Sequence, residues 1–324
     1  MTDPELTRNR PKITVIVPVY KTEAFIVRCA RSLFGQSLDK IEYLFIDDCS
    51  PDGSMARLQE VLEEFPERKA WVRCHRMERN SGLPAVRKWG IRHASGRFLI
   101  HCDSDDWIDP DMYARLYEAA VREDADIAVC DYADTDGQTV LAVHPGCSVR
   151  EKEAFLRTML LQKDSWSLCN KLVRKECYRD DLVFPVRNLG EDMVLTLQLV
   201  LNSRRFTYVP GVRYYYFVNP ESITHVRTDA DRRACFHQNK DNADLILGLL
   251  RQREADARCP DAILYAKWCI KRQLWLTGFD EEAFRLWRST YPEIDRHILF
   301  SPHISFREKV KFVLTGLRLY PLKK

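Results

Sequence analysis

Phe98-Leu-Ile-His-Cys-Asp-Ser-Asp-Asp-Trp107 joins an apolar run to a cluster of carboxylates. Phe98, Leu99 and Ile100 follow one another without a breaker, the pattern of a short buried strand. The run ends in Asp103, Asp105 and Asp106. A carboxylate is costly to bury unless it is paired or bound to metal. Residues two apart on an extended chain point the same way, so Asp103 and Asp105 can face one site. Hard oxygen donors in a small cluster suit Mg²⁺ or Mn²⁺, ions that keep waters and also hold substrate phosphates. The plain alternative is a strand followed by an acidic turn, with Asp109 and Pro110 capping the next helix.

Upstream, the pattern repeats. Ile13-Thr-Val-Ile-Val-Pro-Val-Tyr20 is a β-branched run closed near Pro18, again a buried strand. Helical spacing follows over Glu23 to Gln36. Ile41 to Ile46 is a second strand and runs into the turn-rich Asp47-Asp-Cys-Ser-Pro-Asp-Gly53. Ser54 to Phe65 reads as a helix, Trp71 to His75 as a strand and Pro84 to Ala94 as a helix. Asn80-Ser-Gly82 is a turn, and Gly96 separates the last helix from the strand Arg97 to Cys102. Strands alternating with helices of this length predict βαβ units and a mostly parallel sheet.

In open α/β sheets, ligands bind beyond the carboxyl ends of the strands. Pro18-Val-Tyr20, Asp47-Asp48 and Asp103 to Asp106 all fall at such ends. A ligand that offers hydrogen-bonding groups and phosphates together, such as a nucleotide diphosphate, fits that convergence. A nicotinamide enzyme would carry G-x-G-x-x-G after the first strand. This chain has Val19-Tyr-Lys-Thr-Glu-Ala24 there. The G-x-x-x-x-G-K-[ST], G-x-S-x-G and H-E-x-x-H patterns are absent as well. Metal and side chains are therefore expected to hold the diphosphate.

The whole composition narrows the class. With 324 residues, one large domain or two modest ones are expected. Fifty basic residues against 47 acidic ones give a net charge of +3, no footprint of nucleic-acid binding. Eleven cysteines are scattered without C-x-x-C or zinc spacing, which fits a reducing cytosol. Met1 to Lys12 is polar, so no secretory leader is expected, and no apolar run approaches transmembrane length.

Val15-Ile-Val-Pro-Val-Tyr20, Asp47 to Gly53, Asn80-Ser-Gly82, Arg87, Ala94-Ser-Gly96 and Asp103-Ser-Asp-Asp106 together resemble the family 2 glycosyltransferases of GT-A fold. The resemblance covers roughly residues 13 to 225. It implies a Rossmann-like, mostly parallel α/β sheet flanked by helices, and transfer of a sugar from a nucleotide donor with inversion. It implies bacterial glycan biosynthesis, with a UDP-sugar first among donors and a glycan or lipid-linked hydroxyl as acceptor. It puts Pro18 and Tyr20 against the base and Glu23 on the nucleoside. Asp48 would bind the base with Asp47 behind it. Arg87 would lie near the diphosphate, Asp103 on the ribose or donor sugar, and Asn80, Gly82 and Ser104 in the same donor site. Asp105 would be the main ligand of Mn²⁺ or Mg²⁺, with Asp106 beside it and His225 a further candidate. The chain departs from the pattern at Lys21 and Lys88, where the family usually has asparagine, and Trp89 is bulky for its place.

Asn188-Leu-Gly-Glu-Asp-Met193 opens an apolar helix, Val194 to Leu201. Acidic residues favour a helix N-terminus through its dipole, which alone accounts for such a pair. The resemblance makes Asp192 the catalytic base, with Glu191 in support. Trp166 to Leu172 would frame a substrate pocket, and Tyr214 to Tyr216 reads as a strand packed on the core. The implied plan is a GT-A domain over 1–227, its nucleotide-sugar half about 13–110 and its acceptor half about 111–227. A helical region over 228–324 follows. In the tail, Phe306, Val310, Val313, Leu314 and Leu317 share a helical face among basic residues. That helix over 306–324 either docks on the protein or lies on an anionic membrane surface. The expected location is cytoplasmic, with peripheral contact at the inner face of the membrane. Two other classes compete: a metal-dependent phosphatase with Asp103 as nucleophile, and a non-catalytic module that binds nucleotide sugars.

Overall fold

In the computed structural model the described residues are 10–218, 228–277 and 279–320. They fall into two compact units, residues 10–155 with 166–218, and residues 156–165 with 228–320.

The first unit is built on a nine-stranded sheet. β1 (Ile13–Val19) and β2 (Ile41–Asp47) are interior along nearly their whole length, which is why both read as continuous apolar runs rather than alternating ones. β3 (Val72–Arg76) is half-exposed at the edge. β4 (Phe98–His101) is fully buried. These four lie parallel in the order β3-β2-β1-β4. Strand order therefore reverses between β1 and β4, and the crevice beyond their carboxyl ends is the place where such sheets take ligands.

Helices α1 (Ile26–Phe34), α2 (Ser54–Glu63) and α3 (Leu83–His93) make the crossovers. α1 starts three residues later than the spacing predicts. Thr22 to Phe25 form a turn instead, because the Lys21 and Thr22 amides donate to the hydroxyls of Ser50 and Ser54 at 2.8 and 3.0 Å. α1 buries Ile26, Cys29, Ala30, Leu33 and Phe34. α3 packs Val86 and Ile91 on Ile16, Leu44 and Leu99 on the other face of the sheet.

Beyond β4 the sheet becomes mixed. It continues through β5 (Trp107–Ile108), β6 (Ile127–Thr135), β7 (Val140–His144), β8 (Lys171–Arg174) and β9 (Phe206–Phe217). β8 joins β4 and β6 antiparallel, β6 and β9 run parallel, and β5 closes on β9 antiparallel. α4 (Met112–Arg122), α5 (Lys152–Leu160, whose last turns belong to the second unit) and α6 (Glu191–Asn202) complete the helices here. Asp109 does not cap α4. Its carboxylate accepts the Arg213 amide and the Tyr215 hydroxyl, both at 2.9 Å, and so ties the acidic turn to β9.

The second unit is helical and rich in aromatic residues. It contains α7 (Asp229–Gln252), α8 (Pro260–Lys271), α9 (Glu281–Ser289), α10 (Asp295–Ile298) and α11 (Phe306–Gly316). Its core gathers Phe236, Trp268, Leu274, Phe284, Trp287 and Ile298. No helix among the described residues is long and apolar enough to cross a membrane.

Candidate active site

Asp103 follows β4 by two residues, and its carboxylate is about a third exposed. Its Oδ1 accepts from Arg87 Nη2 at 3.1 Å, and its Oδ2 lies 3.7 Å from the Cys169 thiol. Arg87 stands on α3, 2% exposed. Its Nε donates to Glu191 Oε1 at 2.7 Å, and Glu191 is equally buried at the first turn of α6. One guanidinium thus bridges the acidic turn after β4 to the acidic pair that opens α6. Burying two charges costs several kcal/mol each before their attraction offsets it. Here Arg87 Nη1 and Glu191 Oε2 find no further partner among the described residues. Desolvation accordingly pushes the Glu191 carboxyl up to about 7, although Arg87 opposes the shift. Burial also raises Asp192, again against Arg87. Asp192 is partly exposed, next to Glu191 on the first turn.

Two glycines shape this region. Gly190 caps α6 in the left-handed conformation, φ 72°. Gly82 starts α3 at φ 81°, and a Cβ there would meet Asn188 Oδ1 at 2.5 Å. That same oxygen accepts the Leu83 amide at 3.0 Å. Asn188 therefore satisfies a free amide of α3 from the loop that leads into α6.

Asp105 is partly exposed, and Ser104 is buried. Asp106 differs from the expectation that it joins Asp105 at a metal. It is 1% exposed, and it accepts the Phe217 amide at 2.7 Å and the Tyr214 hydroxyl. Tyr214 in turn accepts the Asp103 amide at 3.0 Å. Asp106 is thus committed to bracing the turn against β9, and burial, with Asp105 and Asp103 nearby, drives its carboxyl well up. Among the described residues no group of three metal-ligating side chains gathers. His225 lies outside them.

The base-binding candidates sit at the ends of β1 and β2. Tyr20 is exposed, and Pro18 is half-buried just before it. Asp47 is buried; it accepts the Ser50 amide at 2.6 Å and Arg76 Nη1 at 2.7 Å. Asp48 holds the next turn, its two oxygens accepting the amides of Ser81 and Gly82 at 2.7 and 2.9 Å. Asn80, before them, is exposed. Glu23 is exposed and accepts the Gly53 amide at 2.8 Å. It lies ahead of α1 rather than in its first turn.

Sequence reasoning overlooked Arg28. Its guanidinium lies 3.6 Å from the centre of the Trp107 ring, and Nη2 donates to the Asp105 carbonyl at 3.0 Å. The available signal was a cation inside the buried repeat of α1, one residue before Cys29. Tyr214 packs on the core and adds two polar contacts, to Asp106 and to the Asp103 amide, that a strand pattern does not reveal.

The sequence model described as glycosyl transferase family 2 matches residues 14–178, half of the chain. The chain belongs to glycosyl transferase family 2. The family 2 relatives include EpsH of Bacillus subtilis, a protein named as a glycosyltransferase, 31% identical over 66% of this chain and 62% of its own length. Glycosyltransferase GlyA of Streptococcus pneumoniae is 32% identical over 67% of this chain and 32% of its own length. The chain thus spans from about a third to about three fifths of these relatives' lengths. A crystal structure of S. aureus TarS residues 1–349 with UDP-GlcNAc aligns over 95% of this chain and 88% of that one, with a TM-score of 0.68 at 18% identity. That likeness shows a shared GT-A fold, and it extends past residue 225 into the helical unit, where sequence resemblance fades.

Proposed function

We propose that this chain is an inverting glycosyltransferase that moves a sugar from a UDP-sugar to a hydroxyl of a glycan or lipid-linked acceptor in surface polysaccharide synthesis. The observation that carries this reading is the Arg87 bridge, which joins Asp103 beside the sheet's switch point to Glu191-Asp192 at the start of α6. The TarS neighbour, crystallised with UDP-GlcNAc, supports the choice of nucleotide. Family membership favours transfer over phosphate hydrolysis or mere binding.

In this reading Tyr20 and Pro18 pack on the base, and Asp48, fixed by two amides, adds a hydrogen bond to it. Asp103, oriented by Arg87, holds the ribose or sugar. A divalent cation fits the residues present, since such ions need only one or two protein carboxylates besides the phosphates, and Asp105 and Asp103 are the partly exposed pair at the turn. When bound, the ion offsets charge on the departing diphosphate. A neighbour of the same fold, a mannosyltransferase from Pyrobaculum calidifontis, was crystallised with GDP-Man and Mn²⁺. Asp106 serves as a brace rather than a ligand. Asp192 takes the acceptor's proton as the acceptor oxygen bonds to the anomeric carbon and the bond to the diphosphate breaks. Its partial exposure beside the buried Glu191 suits that task. The enzyme works in the cytoplasm, peripheral to the inner face of the membrane.

The test is incubation with UDP-GlcNAc and related donors in the presence of Mn²⁺. Wild-type protein is expected to release UDP, and Asp192→Asn to bind donor by calorimetry nearly as well while turning over at least ~10²-fold more slowly. Near-normal turnover by Asp192→Asn moves the base elsewhere. Phosphate release from simple esters would replace the reading altogether.

A further inference from the structure

α11 has two faces of opposite character. One is docked. Phe312 lies 5.9 Å from Trp268 and 5.3 Å from Trp287, and Thr315 is buried. Glu308 accepts from Arg272 at 2.7 Å, and Lys311 lies 4.4 and 4.5 Å from the rings of Trp275 and Tyr320. A capping box between Ser305 and Glu308 fixes where the helix begins. The sequence left docking and membrane contact as alternatives; the helix docks, yet not through the apolar face that the sequence singled out.

That face points outward. Phe306, Val310, Val313, Leu314 and Leu317 are all exposed, Phe306 by 79% and Leu317 by 64%. At 3.6 residues per turn these five fall within an arc of about 100°. On the same wheel Arg307 lies about 20° beyond one edge and Lys309 about 40° beyond the other. Leu319, 67% exposed, extends the apolar chain past the helix. Single exposed apolar residues need no explanation, but a contiguous stripe does.

We infer that this stripe is a docking surface for an anionic lipid bilayer, with α11 lying in the headgroup plane, its apolar side chains inserted and Arg307 and Lys309 at the phosphates. The inference rests on the peripheral location proposed above and gives it a face. Charge decides between occupants. Two copies of this helix packed stripe to stripe would bring basic edges together, whereas a negatively charged surface complements both edges at once.

The experiment is vesicle flotation of the full chain. The probes are vesicles of phosphatidylcholine mixed with phosphatidylglycerol, and vesicles of phosphatidylcholine alone. Wild type is expected to float with the mixed vesicles, less so at high salt, and not with the neutral ones. Phe306→Ser/Leu317→Ser is expected to lower partitioning at least ~10-fold, because two side chains lose their apolar burial. Arg307→Glu/Lys309→Glu is expected to abolish the preference for anionic vesicles. Both variants should keep the wild-type melting temperature and UDP release with a soluble acceptor, since Phe306, Arg307 and Leu317 are exposed, Lys309 is partly exposed, and all four lie outside the site. Absence of wild-type flotation, or equal flotation by the variants, overturns the inference. So does a wild-type dimer in light scattering that Phe306→Ser/Leu317→Ser dissociates. Failure of UDP release by wild type would instead strike the transferase reading and leave flotation unaffected.

Discussion

The acidic turn after β4 and the acidic start of α6 each carry two adjacent carboxylates, and each sacrifices one to architecture. At the turn Asp106 is buried and Asp105 stays partly exposed; at the helix Glu191 is buried and Asp192 stays partly exposed. The buried members are held differently. Asp106 rests on a backbone amide and a tyrosine hydroxyl, both neutral. Glu191 rests on a guanidinium that is itself buried. A neutral cradle tolerates a carboxyl in either protonation state, whereas a buried cation left without its anion is strongly penalised. The helix pair is therefore the more fragile of the two.

That contrast makes the largest effect fall at Arg87. Arg87→Met, measured above pH 7 where Glu191 is ionised in the wild type, should remove about 3–5 kcal/mol of stability, because Glu191 is left buried without a counter-charge. Urea unfolding measures it. Adding Glu191→Gln should recover part of the loss, since no charge then remains to strand. A single variant as stable as wild type would mean that Glu191 is already protonated and neutral, which would erase the contrast.

The protonation of Glu191 sharpens the comparison further. Its carboxyl is raised from 4.5 to about 7 in the folded chain. Between those values the folded state binds more protons than the unfolded state, so stability falls as pH rises. The contribution is complete below pH about 4.5 and lost by pH about 7. At about 1.4 kcal/mol per unit the full span is at most roughly 3.5 kcal/mol. Stability of wild type minus that of Glu191→Gln, followed by urea unfolding across this range, should slope downward with pH. An upward slope would mean that Arg87 outweighs burial.

Much of the frame was legible in the sequence because it is local. β1, β2 and β4 announce themselves as continuous apolar runs, and Asp47-Asp48, Asp103 and Glu191-Asp192 stand where such runs end or a helix begins. The commitments of those carboxylates were not legible. Asp106 meets Tyr214 across 108 positions, and Arg87 meets Glu191 across 104. Spacing within a strand or helix carries no information about partners so distant. Asp48 illustrates the same limit: its residue type fits a nucleobase, but the two amides of the Ser81–Gly82 turn that fix its oxygens lie more than 30 positions away and were not legible. The outward face of α11 was also hidden, since an amphipathic pattern says which residues share a side and not which side is docked.

The smallest expected effect tests the neutral cradle. Tyr214→Phe keeps the ring and removes one hydroxyl, which now donates to Asp106 and accepts from the Asp103 amide. Two buried polar groups lose a partner, and each such loss costs about 1–3 kcal/mol when nothing replaces it. Asp106 limits the damage, because its carboxyl is already raised by burial and a protonated acid needs fewer donors. The loss should therefore sit at the low end of that range, below the loss in Arg87→Met, and should grow as pH rises and Asp106 ionises. Urea unfolding at two pH values reads both features. The turn that carries Asp103 and Asp105 also loosens, so donor KM should rise while kcat stays close to wild type. A collapse of kcat at unchanged KM would make the tyrosine part of the chemistry. A stability loss matching that of Arg87→Met would show that neutral and charged cradles are equally brittle.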